Sequence, residues 1–148
     1  MDFIAETRAV AETATCQRSQ CGAIIVKDGQ IIGRGFNSPP GGLESQRRCQ
    51  RKHELKPGFK SDRTCCIHAE QRAIADTLRH FPADLAGADM YFYRLGADKN
   101  LEVTRPYCTI CSKAILDAGL ARIALYRADG WHWFEAEAYN DISFNYSE

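Results

Sequence analysis

Four residues carry the chemistry open to this chain: His68 and Glu70 in His68-Ala69-Glu70, and the pair Cys108 and Cys111 in Cys108-Thr109-Ile110-Cys111. One neutral imidazole and two thiolates make three protein ligands for Zn²⁺ and leave the fourth tetrahedral position open to water. Glu70 stands too close to His68 to be a spare ligand without strain, but it is well placed to handle a proton beside the metal. Cys108 and Cys111 are three positions apart, so at a helix start both point to one spot, where the helix dipole favours thiolates. Taken singly the motifs say little. His-x-Glu occurs in many helices, and Cys-x-x-Cys serves as a redox pair or as half of a structural zinc site. A structural Cys₂His₂ site, however, has no use for Glu70. The set reads as a metal site that acts on water.

The elements that must position these residues follow from periodicity. Residues 2–15 read as an amphipathic helix with Phe3, Ile4, Thr7, Val10, Ala11 and Ala14 near one face. Cys21 to Val26 is an apolar run, Asp28-Gly29 a two-residue hairpin turn, and Ile31 to Phe36 the returning strand. Asn37 to Gly42 (NSPPGG) must be a loop, because prolines and glycines break any regular element there. Residues 43–66 are basic and polar with little apolar periodicity. Residues 67–79 read as a helix that opens on His68 and Glu70 and turns Ile67, Ala73, Ile74 and Leu78 inward. Met90 to Leu95 is a strand, 109–118 a helix closed by Gly119, and Ala121 to Tyr126 the next strand. This order predicts an α/β fold, a three-layer α/β/α arrangement around a mixed central sheet. One domain over 1–148 is the expectation.

Composition narrows the class. Of 148 residues, 45% are apolar and 26% charged, as in ordinary soluble proteins. No stretch is long and apolar enough to span a membrane, and the N-terminal pattern is a helix, not a signal peptide. Nineteen basic residues balance nineteen acidic ones, so overall charge gives little electrostatic grip on a polynucleotide such as tRNA or single-stranded DNA. Seven cysteines form an odd set that includes metal-ligand spacing, which points to a reducing, cytoplasmic setting and away from a disulfide scaffold.

Three stretches carry a resemblance: Cys21-Gly22-Ala23-Ile24-Ile25-Val26-Lys27, then Gly35-Phe36-Asn37-Ser38-Pro39-Pro40-Gly41-Gly42, then His68-Ala69-Glu70-Gln71-Arg72-Ala73-Ile74. With the cysteine pair, they resemble the cytidine deaminase superfamily over about residues 14–127, and most closely its deoxycytidylate (dCMP) deaminase branch. The chain departs from that pattern in three places. Tyr107 intervenes between Pro106 and Cys108, GADKNLEVTRPY lengthens the connection to the cysteine pair, and Arg72 stands where asparagine is usual.

The resemblance implies a zinc-dependent hydrolase that replaces a ring amine by oxygen and releases ammonia. Zn²⁺ would sit on His68, Cys108 and Cys111, and Glu70 would take the water's proton, deliver it to the ring nitrogen, and later protonate the leaving amine. Asn37 would hold the sugar or the base edge, although asparagine also suits the turn before Ser-Pro-Pro. Ala69 would lie against the flat ring, or merely fill the helix. Arg47, Arg48, Arg51 and Lys52 offer donors to a 5′-phosphate, or form a solvated basic face. Arg72 could reach a phosphate or a neighbouring subunit. Trp131, His132, Trp133 and Phe134 suit packing against the sheet or stacking on a base. Several dCMP deaminases carry a second, structural zinc built from cysteines and histidines, and this chain resembles them in having such residues ahead of His68. Candidate ligands here are Cys16, Cys49, His53 and one of Cys65 and Cys66, the alternative being free core cysteines. The expected substrate is dCMP, with a free nucleoside or base (cytidine, guanine) as the alternative within the class. A non-catalytic zinc-binding module of the same fold is the alternative outside it. A homo-oligomer is expected, since small sheet domains often borrow a neighbour to close a pocket.

Overall fold

The computed structural model describes residues 1–16, 18–48 and 66–146. Chain order is α1 (Phe3–Glu12), β1 (Ser19–Lys27), β2 (Gln30–Phe36), α2 (Ala69–His80), β3 (Asp89–Gly96), α3 (Thr109–Asp117), β4 (Arg122–Arg127), β5 (Gly130–Glu135) and α4 (Ala136–Phe144). The five strands form one sheet in the order β2-β1-β3-β4-β5. Only β3 and β4 run parallel, joined through α3, while the other neighbours are antiparallel, so the sheet is mixed. Asp28 (φ 49°) and Gly29 (φ 79°) make the tight β1–β2 turn, the left-handed pair that matches strand twist.

The two faces of the sheet have different covers, which gives the three layers. On one face α1 packs against β1 and β3, with Ala11, Tyr93 and Leu95 as a small core. On the other, α2, α3 and α4 cover the main core, in which Ala23, Ile25, Met90, Phe92, Ile115, Ile123 and Leu125 meet Ala69, Ala73 and Tyr139. Strand alternation explains the split: Ala23 and Ile25 face α2, whereas Gly22 lies against α1. Helix α2 sits unusually close to β2. A side chain at Gly35 would run into the Ala69 carbonyl and the Ala73 nitrogen, and one at Gly33 into Thr77. These glycines set the height of α2 above the sheet.

The expected elements are present, with three differences. The Trp131–Phe134 segment is an edge strand, β5, and α4 follows it directly. Trp131 and Trp133 pack edge-on against Tyr91 on the α1 face, while Phe134 meets Tyr139 of α4 on the other. Leu78, expected inward, is 52% exposed, because α2 buries Ala73, Ile74 and Thr77 instead. Ile4, expected on the buried face of α1, is exposed.

Candidate zinc centre and active site

The site lies off the sheet end where β2 and β3 finish and β1 begins. Two helices start there. His68 is the N-cap residue of α2 and Cys108 that of α3, both with extended backbones. Gln71 holds His68 in place, since its side-chain oxygen accepts the His68 N–H at 3.1 Å. The His68 Nδ1 atom lies 3.1 Å from the Cys111 sulfur and 3.4 Å from that of Cys108. The three ligand atoms all fall within 4.8 Å of one another. Tetrahedral zinc with Zn–S and Zn–N bonds of standard length sets sulfur and nitrogen about 3.6 Å apart, so the residues fit the ion. The histidine atom turned to the two sulfurs is Nδ1.

Burial and charge support this reading. Cys111 and Ala69 are fully buried and Cys108 nearly so. Hydrogen bonding from the Cys111 thiol, and then from His68, holds Cys108 down to about 4 against the effect of burial. The same contact raises Cys111, and contact with Cys108 raises His68. Glu70 is 7% exposed. Burial, with the Cys108 thiolate second, lifts its carboxyl above the ordinary range, the direction that suits a group required both to take and to give a proton.

The remaining residues singled out in the sequence take varied places. Asn37 follows β2 and its amide bridges to β1: Oδ1 accepts the Cys21 N–H at 2.8 Å and Nδ2 donates to the Ser19 carbonyl at 2.9 Å. Ala69 is fully buried, its carbonyl turned to Gly35. Arg72 turns its guanidinium to the loop after β2. It donates to the Ser38 hydroxyl, to the carbonyls of Phe36 and Pro39 (3.3 Å each), and lies over the Phe36 ring. Arg47 binds Glu44 at 2.7 Å and the Thr15 carbonyl at 3.0 Å, so it is a staple rather than a free anion site. Arg48 donates to backbone carbonyls of Ser45 and Arg47. Arg51, Lys52, Cys49, His53 and Cys65 lie outside the described residues. Cys16 is bonded to Cys66 in a disulfide, a pairing the cysteine spacing had not suggested. Three residues near the site were missed in the sequence. Cys21 and Arg94 face each other across β1 and β3, and Tyr139 reaches in from α4, feeling the charges of Glu70 and both ligand cysteines. Arg94 left a signal: it occupies an inward position after Met90 and Phe92.

Fold and site together define a hydrolytic deaminase of the cytidine deaminase-like class. The model for the cytidine and deoxycytidylate deaminase zinc-binding region matches residues 1–127, and the chain belongs to that family. It is 33% identical over 127 residues to a deoxycytidylate deaminase of Mycobacterium phage D29, covering 82% of this chain and 88% of that one. It is 31% identical over 121 residues to ComE operon protein 2 of Bacillus subtilis, covering 82% of this chain and 55% of that protein. The fold is similar to the dCMP deaminase of cyanophage S-TIM5 solved with dCMP and dUMP (TM-score 0.59, 22% identity, 83% of this chain and 76% of that one). It is also similar to the cytidine deaminase of Burkholderia pseudomallei (TM-score 0.54, 15% identity, 94% and 96%). Among the described residues no helix is long and apolar enough to cross a membrane.

Proposed function

We propose that this chain converts dCMP to dUMP with release of ammonia, using one zinc on His68, Cys108 and Cys111. The observation that carries the reading is a three-ligand cluster with a buried carboxyl beside it. It gains support from the relative in the mycobacteriophage, whose name states the deoxycytidylate reaction. Zinc, when bound, supplies the Lewis acidity that makes water nucleophilic near neutral pH. Glu70 takes a proton from that water and delivers it to the ring nitrogen as the new carbon–oxygen bond forms. Glu70 then takes the remaining proton from the added hydroxyl and passes it to the amine, so the carbon–oxygen double bond forms as the carbon–nitrogen bond breaks and ammonia leaves. Asn37 keeps one N–H and one lone pair beyond its two bonds to β1, enough to hold the sugar.

Ammonia release from dCMP, CMP, deoxycytidine, cytidine, guanine and adenosine tests the reading. The expected result is highest efficiency on dCMP. A nucleoside or base that outruns it refutes the nucleotide assignment, and no release from any refutes catalysis in favour of a zinc-binding module. We also propose that Cys16 and Cys66, once reduced, act as two thiolate ligands of a structural zinc. Their sulfurs are already together, and two thiolates form half of such a site. About two zinc ions per chain are then expected in reduced protein, and a fully active preparation with one refutes the idea.

A further inference from the structure

Beside the site stands a charged group that the proton chemistry does not use. Arg94 of β3 lies opposite Cys21 of β1, on the sheet face it shares with Met90 and Phe92 under α2 and α3. Its side chain is 23% exposed, and its Nε is buried with no hydrogen-bond partner among the described residues. The Glu102 carboxylate is 3.6 Å from Nη2 and is itself 46% exposed, a loose pair of the kind that contributes little. A buried guanidinium N–H without an acceptor is costly, and native structures rarely leave one so.

The added segment between β3 and the cysteine pair builds this arrangement. The Gly96 N–H donates to the Asn100 carbonyl at 2.8 Å, and Leu95 bridges Leu101. The Glu102 N–H then donates to the Arg94 carbonyl at 3.0 Å. The segment therefore doubles back along β3, sets Glu102 beside Arg94, and brings Tyr107 in ahead of Cys108. Arg94 interacts electrostatically with both Tyr107 and Cys21. Cys21 in turn bonds Asn37 through its N–H. Arg94 on β3 thus lies opposite the β1 residue that Asn37 binds. Arg47, Arg48 and Arg72, by contrast, direct donors to partners within the chain.

We propose that Arg94 is a specificity-determining residue that receives the phosphate of the nucleotide substrate, with Glu102 as the partner it releases on binding. The inference rests on the nucleotide reading above and extends it to a residue. A phosphate offers several charged oxygens to a two-pronged guanidinium, and a deoxyribose hydroxyl offers none.

Wild-type protein is first compared on dCMP and deoxycytidine. A preference for deoxycytidine would overturn the nucleotide reading and Arg94's role with it. Arg94→Ala should then lower the ratio of dCMP to deoxycytidine kcat/KM by roughly tenfold to a hundredfold, mainly through KM, as loss of a charged hydrogen bond does. Arg94→Lys should recover part of it. An unchanged ratio overturns the assignment while the nucleotide reading stands. Glu102→Gln keeps Arg94 in place and removes its competitor, so the KM for dCMP should fall. An unchanged or higher KM would overturn the proposal. Calorimetric binding of dUMP against deoxyuridine should rank the variants in the same order without turnover.

Discussion

Replacing Gly35 with alanine tests whether the height of α2 sets the chemistry. A methyl group at Gly35 would lie 2.9 Å from the Arg72 carbonyl carbon and closer still to the Ala69 oxygen and the Ala73 nitrogen. Ordinary contact begins at 3.4 Å, so Arg72 alone requires about half an ångström of movement, and the other two atoms more. All three are backbone of α2, so no side chain can swing aside to absorb the clash. The helix must lift at its first turn, the turn that starts at His68 and contains Glu70. Overpacking of this kind costs about 1–3 kcal/mol of stability. A shift on the order of 1 Å at a catalytic group costs about a hundredfold in rate. Gly35→Ala should therefore melt several degrees lower, and, where folded, turn over about ten- to a hundredfold more slowly, with zinc loosened because His68 moves away from the cysteines. Thermal unfolding, zinc content and steady-state kinetics on one preparation check this. Wild-type melting temperature and kcat in Gly35→Ala would refute the argument that the β2–α2 approach positions the site.

Three further outcomes follow from the site. Glu70→Gln keeps the shape and a hydrogen-bonding amide, so zinc and nucleotide should remain bound while kcat falls by roughly 10²–10⁴-fold; near-normal turnover would refute Glu70 as proton carrier. Cys111→Ser should lose zinc and stability together, since this fully buried sulfur joins the start of α3 to His68, and full zinc occupancy would rule out the ligand assignment. Arg72→Ala removes the ties from α2 to Phe36, Ser38 and Pro39, so KM should rise more than kcat falls; an unchanged KM would mean the Asn37 loop holds its place without Arg72.

The parts of this molecule legible in the sequence are those encoded by short spacing. His68 and Glu70 are two apart, Cys108 and Cys111 three apart, and the Asp28-Gly29 turn needs only neighbours. Where both faces of an element are covered, periodicity fades. β5 sets Trp131 and Trp133 against Tyr91 on one face and Phe134 against Tyr139 on the other, so no apolar–polar alternation marked it as a strand. Arg47 and Arg72 looked available because charge alone is visible in a sequence. The carbonyls that consume their donors lie 32 to 36 residues away and come close only after folding. Leu78 illustrates a subtler limit: α2 turns Ala73, Ile74 and Thr77 to the sheet because Gly33 and Gly35 admit the helix there, which rotates Leu78 outward.

The floor and the mouth of the pocket are therefore specified by different means. The floor needs two N-cap positions and their first turns, each fixed by a local motif. The mouth is assembled from the start of β1, the loop after β2, the end of β3 and the segment that doubles back along it. The departures of this chain from the family pattern cluster there: Arg72 beneath the Asn37 loop, the lengthened connection beside Arg94, and Tyr107 ahead of Cys108. Loops carried on a rigid sheet can change in this way at little cost to the core. Variants should divide accordingly. Changes at Glu70 or Cys111 decide whether any substrate turns over, and changes at Arg94 or Glu102 decide which one.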